Sequence, residues 1–230
     1  MIIIKVYLDL ETLPPKLTDE EMNEFKQELQ PPKTIKNPEK IEAWIEENWI
    51  KKYRDMAKKS HSATIASFGY AFTDRRVECL YDPERDEKGI LENFYSELVS
   101  EIDSQLGEAN VEESNYSIKW IGFNNRTFDM DLIWKRAKYY GLDKLANLIP
   151  RDRFSKDIID LKEIFNGPNI HEFTSQDYVC KYFGIKGKPD DIDGSQVYDY
   201  WHKGEHAKVA EYNMDDVEKV IQLYDIMVGN

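Results

Sequence analysis

The chain has 230 residues, 44 acidic against 31 basic, for a formal charge of −13. That length fits one ordinary domain with a proper core, or a domain carrying one large insertion. The acidic balance argues against a protein that holds nucleic acid by charge alone, which needs a basic, phosphate-neutralising surface; it leaves room for an enzyme that works through metal ions in a narrow cleft. Cys79 and Cys180 give neither a metal spacing nor a disulfide framework, and read as buried thiols in a reducing compartment. The opening MIIIKVYLDLET has no basic leader, long apolar core or small-residue cleavage site, and no apolar stretch approaches membrane-spanning length. A soluble, cytoplasmic protein is the expectation.

Residues 2–10, IIIKVYLDL, predict a buried strand rich in β-branched and aromatic side chains. Residues 13–61 are charged and punctuated by proline. Within them, Thr18 and Glu21 make a capping box for a short helix carrying Met22, Phe25 and Leu29. Asn37 then caps a second helix with Pro38 at its first position. Along it Ile41, Trp44, Ile45, Trp49, Tyr53 and Met56 recur at three- and four-residue steps, an amphipathic stripe. The apolar content of 13–61 is too small for a core of its own, so the section reads as a helical insertion packed on the body of a single domain, 1–230.

Residues 62–72 and 75–82 predict a hairpin turning at Thr73 and Asp74. A helix over 88–106 carries Ile90, Leu91, Phe94, Leu98, Ile102 and Leu106, and YSIKWIGFN (116–124) is another strand. A helix runs from Asp129 to Tyr140 and stops near Gly141. A stretch at 157–165, a helix at 174–183 stopped by Gly184, and a long helix over 205–228 complete the chain. Strands first, then helices interleaved with one more strand, predict an α/β domain with a mixed sheet flanked by helices.

Three acidic clusters stand out. Asp9 and Glu11 sit two apart on a strand and share one face, while Leu8 and Leu10 pack the other way. They stand at the C-terminal end of the strand, where α/β sheets build sites, and two neighbouring carboxylates are costly unless a positive charge such as a divalent cation lies between them. In GFNNRTFDMDLIW (122–134), Asp129 opens a helix, where the macrodipole already favours an acid. In AEYNMDDVEKVIQLY (210–224), Tyr212 and Asp216 are four apart and border the apolar arc of Val209, Val217, Val220 and Tyr224, whereas Asp215 points elsewhere. Taken singly, each has a plain structural reading: a solvated pair at a strand end, a helix-opening acid, a half-buried core tyrosine.

Together, Asp-x-Glu on the first strand, Asn-x-x-x-Phe-Asp at a strand–helix junction and Tyr-x-x-x-Asp on the last helix resemble the three motifs of the DnaQ-like (DEDD) 3′–5′ exonucleases of the ribonuclease H-like fold. NPEKIEAWIEENW, SATIASFGYAF, DIIDLKEIF and DDIDGSQVYDYW are similar to the stand-alone branch related to the exonuclease domain of family-B DNA polymerases, so the resemblance covers nearly the whole chain. It implies a mixed five-stranded sheet with the insertion after the first strand. Asp9, Glu11, Asp129 and Asp216 become ligands of two divalent cations, Mg²⁺ or Mn²⁺, and Tyr212 orients the attacking water. Thr12 and Leu13 would touch the terminal nucleotide, and Asn124 and Phe128 would line the single-strand path. Glu211, not a histidine, stands five residues before Asp216, and none of His61, His171, His202 and His206 is placed to substitute, which marks the tyrosine (DEDDy) subtype. Where relatives have Gly-His-Asn, this chain has Gly122-Phe123-Asn124.

The resemblance implies release of 5′-mononucleotides from the 3′ end of single-stranded DNA, in proofreading or repair beside a DNA polymerase or replication complex. RNA 3′ ends are the alternative substrate, and a catalytically silent docking module is a further alternative, although such modules lose motif acids that this chain keeps. Lys135, Arg136 and Lys138, or Lys181, Lys186 and Lys188, are positive groups near which a strand could lie; each singly reads as a solvated charge. GIKGKP (184–189) reads as a turn and not a phosphate cradle, and DDIDG (190–194) lacks the first and last ligands of a calcium loop.

Overall fold

The computed structural model describes residues 1–73, 76–109, 116–169, 172–187 and 193–229. Strand β1 (Ile2–Leu13) is the middle member of a five-stranded sheet, with β2 (Thr64–Phe72) and β3 (Glu78–Tyr81) on one side, β4 (Tyr116–Gly122) and β5 (Ile158–Asp160) on the other. β1 runs antiparallel to β2 and parallel to β4, so the sheet is mixed. The expected hairpin is present as β2 and β3, and Asp74 of its turn lies outside the described residues. His171, Lys188 and the acids at 190–191 lie outside them too.

The period-two alternation of β1 decides which layer each side chain enters. Ile4, Val6, Leu8 and Leu10 pack into the larger core with Phe94 and Leu98 of α3 (Glu87–Ala109) and Leu132 and Ile133 of α4 (Asp129–Tyr139). Tyr7 faces the opposite layer, where Val217, Val220 and Tyr224 of α9 (His206–Met227) cover the sheet. Asp9 and Glu11 therefore face α9, with Leu13 beyond them in a small core of Ala66, Val197, Trp201, Val209 and Tyr212.

The insertion contains α1 (Asp19–Glu28), α2 (Pro38–Arg54) and a 3-10 turn, Asp55–Lys58. Both expected caps form: the Thr18 side chain accepts from the Glu21 N–H, and Asn37 Oδ1 accepts from the Glu39 N–H at 2.9 Å. The stripe along α2 is less buried than its pattern predicts. Tyr53 alone on α2 is buried, its hydroxyl donating to the Pro15 carbonyl at 2.7 Å, while the two tryptophans are half-buried. Arg54 fastens α2 to the body through a bidentate pair with Asp199, at 2.6 and 3.2 Å, and lies over the Tyr198 ring.

Two helices beyond those expected appear: α5 (Asp143–Leu148) and α8 (Val197–His202). The stretch at 157–165 divides into β5 and α6 (Leu161–Asn166), because Asp160 ends the strand and caps the helix, accepting from the Lys162 and Glu163 N–H groups. α7 (Gln176–Tyr182) stops before Gly184, whose φ of +74° is the left-handed geometry glycine adopts freely. Cys180 is buried, but Cys79 is only half-buried, since it lies on the short edge strand β3. Among the described residues no helix is long and apolar enough to cross a membrane.

Candidate metal centre and its cleft

β1 presents Asp9 and Glu11 to α9, and α9 returns Asp216 to them. One carboxylate oxygen from each of the three lies within 4.8 Å of the others. The pairing of β1 with β2 shifts register between Glu11 and Thr12, a bulge that turns the strand just past the acids. On the other edge, β4 pairs with β1 only as far as Tyr7 opposite Ile121. Beyond that point the Leu10 N–H donates to the Asp129 carboxylate at the start of α4. Asp129 is thus bound to the β1 backbone between the two strand acids, at the margin of the three-acid cluster and not within it.

Asp129 is buried, and burial pushes its carboxyl well above the usual carboxylate range, helped by the nearby charge of Asp160 and opposed by its own N–H and that of Leu10. An unneutralised carboxylate is costly at such a place, and a cation would relieve that cost. Tyr212 is also buried, and its hydroxyl is hydrogen-bonded to Asp216. Burial first, then the charges of Asp216, Glu11 and Asp9, drive its pKa upward, so it stays a neutral phenol. It can donate and orient, but it cannot act as a base. A side-chain carbon built on Gly194 would lie 4.0 Å from this hydroxyl, which puts the Gly194 segment beside it.

Two polar residues that the motif reading passes over hold the site in place. Asn213 is fully buried; its Nδ2 donates to Asp9 Oδ2 at 2.8 Å, and its Oδ1 accepts from the Ser67 hydroxyl at 3.1 Å. Its position three residues before Asp216 on a helix was the available signal, because that spacing puts both on one face. Gly69, paired with Asp9 across the sheet, leaves room for this contact: a Cβ there would meet Val217 Cγ2 at 2.9 Å and the Asn213 amide at 3.0 Å. Asp160, buried at the β5–α6 junction, accepts from the Asn124 and Arg126 N–H groups at 2.9 and 3.1 Å. These bonds support Asn124 in its left-handed conformation (φ +64°) at the turn leading to Asp129. An acid between a strand and a helix is a standard N-cap position, which was its signal.

Asp216 is held from behind. Gln176 Nε2 donates to its backbone carbonyl at 2.8 Å, and the buried Lys219 ammonium lies 3.7 Å from its Oδ1 while pairing with Asp215. Asp215 itself is engaged with Lys219 and is not among the three converging acids.

The four side chains expected at the nucleotide fare differently. Thr12 lines a cleft beside Glu11, but its hydroxyl donates to the Ala57 carbonyl at 2.7 Å and so ties β1 to the insertion. Leu13, expected beside it at the nucleotide, is completely buried in the small core with Trp201 and Tyr212. Phe128 is half-buried and packs on the larger core, and the Asn124 side chain accepts from Lys162 Nζ at 3.4 Å. Four of the positive groups expected near a strand form ion pairs: Lys135 with Asp131, Arg136 with the buried Glu87, Lys138 with Asp143 and Lys181 with Asp177. His202 Nδ1 donates to the Tyr198 carbonyl, 2.8 Å away, and His206 packs on Trp201; neither is among the clustered donors.

Residues 56–227 match a family described as a predicted 3′–5′ exonuclease related to the exonuclease domain of PolB. An uncharacterized protein of Methanocaldococcus jannaschii is 30% identical over 119 residues, which is 48% of this chain and 64% of that protein. The chain thus spans a little under two thirds of that relative's length. Among solved structures, the family B DNA polymerase of the hyperthermophilic archaeon Pyrobaculum calidifontis aligns with a TM-score of 0.54 at 17% identity, over 98% of this chain and 24% of the polymerase. At that identity the likeness carries the fold alone, and it agrees with the expected α/β architecture of a mixed five-stranded sheet flanked by helices. With the family match extending over most of its length, the chain belongs to the predicted 3′–5′ exonucleases related to the exonuclease domain of PolB.

Proposed function

We propose that this protein is a divalent-cation-dependent 3′–5′ exonuclease that removes 5′-mononucleotides from the 3′ end of single-stranded DNA by a two-metal-ion mechanism. The observation that carries the reading is the convergence of Asp9, Glu11 and Asp216, drawn from the first strand and the last helix, beside the hydroxyl of Tyr212. The donor set is all carboxylate, without histidine or cysteine, which suits the hard cations Mg²⁺ and Mn²⁺ better than zinc. Asp9, Glu11 and Asp216 would hold one ion and Asp129 would share in a second. When bound, such ions supply Lewis-acid stabilisation of phosphoryl charge and an acidified water.

The chain's own residues have separable tasks in this reading. Asn213 fixes the rotamer of Asp9, and the Leu10 N–H fixes that of Asp129. Tyr212, held neutral, presents a hydroxyl that orients the attacking water without taking its proton. Kinship with a polymerase exonuclease domain supports a role in proofreading or repair alongside a DNA polymerase or replication complex.

The test is a 5′-labelled strand incubated with the purified chain and Mn²⁺ or Mg²⁺. A ladder of shortened products is expected, stopped by excess chelator and by a blocked 3′ end. DNA and RNA strands digested in parallel decide the substrate, with faster DNA shortening expected. Asp9→Ala or Asp216→Ala should lower turnover by orders of magnitude in a folded protein. Undiminished shortening in Asp9→Ala, or in excess chelator, would overturn the mechanism.

A further inference from the structure

Beside Glu11 and Thr12 opens a cleft of about 450 Å³ whose far wall is the insertion: Ile50, Lys51 and Arg54 of α2 and Lys58 of the 3-10 turn, with Gly194 and Tyr198 closing the side. That volume is in the range of a drug-sized ligand site, roughly 300–1,000 Å³, the scale of one nucleotide. Its wall departs from the chain's charge balance. In a molecule with 13 more acids than bases, this wall sets Lys51, Arg54 and Lys58 against Glu11 and Asp55. Arg54 is committed to Asp199, and Lys58 forms a solvent-exposed pair with Asp55 at 2.9 Å. Lys51 is exposed, and Ile50 beside it presents apolar surface to solvent. Arg54 Nε is buried in this wall with no hydrogen-bond partner among the described residues.

The wall is also fixed in place. Thr12 hydroxyl to the Ala57 carbonyl ties it to β1, and the Arg54–Asp199 pair, with Arg54 stacked 4.3 Å from the Tyr198 ring centroid, ties it to α8. Helix α2 lies before residue 56, where the family match begins, so most of this wall comes from a segment that the match does not include.

Resting on the exonuclease reading, we propose that this cleft is the groove for the single-stranded substrate: Lys51 and Lys58 receive backbone phosphates while the 3′ end lies at Asp9, Glu11 and Asp216. Ile50 then meets the face of a base, a contact that does not discriminate sequence. Lys51 and Lys58 place two cationic groups in the same cleft that Glu11 lines.

The test is the affinity of the full chain for a fluorescent single-stranded oligonucleotide, read by anisotropy with Ca²⁺ in place of Mn²⁺ so that the strand is not consumed. The double variant Lys51→Ala/Lys58→Ala should bind more weakly. Its log-affinity against log-salt slope should be shallower by about 1.4, two phosphate contacts at about 0.7 each on a single strand. Lys51→Arg/Lys58→Arg should restore both, and Lys144→Ala on the remote α5 should match wild type. Equal affinity and slope in the alanine double variant overturn the groove, whether or not the protein shortens DNA in Mn²⁺. Lysine-dependent binding without shortening in Mn²⁺ upholds the groove and removes the exonuclease reading instead.

Discussion

Replacing Asn213 with alanine isolates what positioning contributes to the proposed metal centre. The amide is fully buried and bridges two elements, donating to Asp9 at 2.8 Å and accepting from Ser67 at 3.1 Å. A hydrogen bond to a charged group is worth about 1.5–3 kcal/mol, which at about 1.4 kcal/mol per tenfold corresponds to roughly 10–100-fold in cation affinity. Loss of a partner that orients a metal ligand costs a similar 10–100-fold in general, so the two routes to the magnitude agree. The assay is the Mn²⁺ concentration that half-saturates shortening of a 5′-labelled strand, measured well below the melting temperature of the variant. Half-saturation should move to 10–100-fold higher Mn²⁺ with the rate at saturation changed far less. The variant should also melt earlier, because the Ser67 hydroxyl is left without its acceptor. Unchanged Mn²⁺ dependence in a folded Asn213→Ala protein would refute the positioning role.

Other perturbations probe neighbouring parts of the same site. Gly69→Ala forces a Cβ against Val217 at 2.9 Å and Asn213 at 3.0 Å, so α9 must lift from the sheet; a stability loss of about 1–3 kcal/mol in urea unfolding, with reduced activity, is expected. Wild-type stability and activity together would show that α9 does not need that approach. Tyr212→Phe removes one oriented hydroxyl worth about 1.5–3 kcal/mol beside a charged group, and should slow turnover about 10–100-fold while leaving Mn²⁺ affinity near wild type. A loss as deep as that of Asp216→Ala would assign the tyrosine a different task. Asp129→Asn tests the cost of the buried charge. The folded-state pKa of Asp129 is raised, so its contribution to stability is present at acid pH and is lost as pH climbs from the ordinary carboxylate range toward the raised value. Without divalent cations, Asp129→Asn should therefore melt higher than wild type at pH 7.5, with the gap closing near pH 4, even as activity falls. A variant that melts lower at pH 7.5 would contradict the sign.

The sequence by itself determined most of the elements and which acids share a face, because those depend on local spacing. Period-two alternation put Asp9 and Glu11 on one face of β1, a four-residue step put Tyr212 and Asp216 together on α9, and both insertion caps were legible from Thr18-x-x-Glu21 and Asn37-Pro38. Only the tertiary structure decided what those faces meet. That Asn213 reaches Asp9 depends on Gly69 letting α9 approach β2 closely, a matter of packing between residues far apart in the chain. That Leu13 is sealed in a core while its neighbour Thr12 lines a cleft follows from the bulge after Glu11 and from what α8 and the insertion place over it. The half-burial of the Trp44 and Trp49 stripe has the same origin: a helical wheel shows which residues share a face, but the area that face loses to solvent is set by the partner surface. Burial and long-range hydrogen bonding are properties of the folded chain as a whole, and no local spacing encodes them.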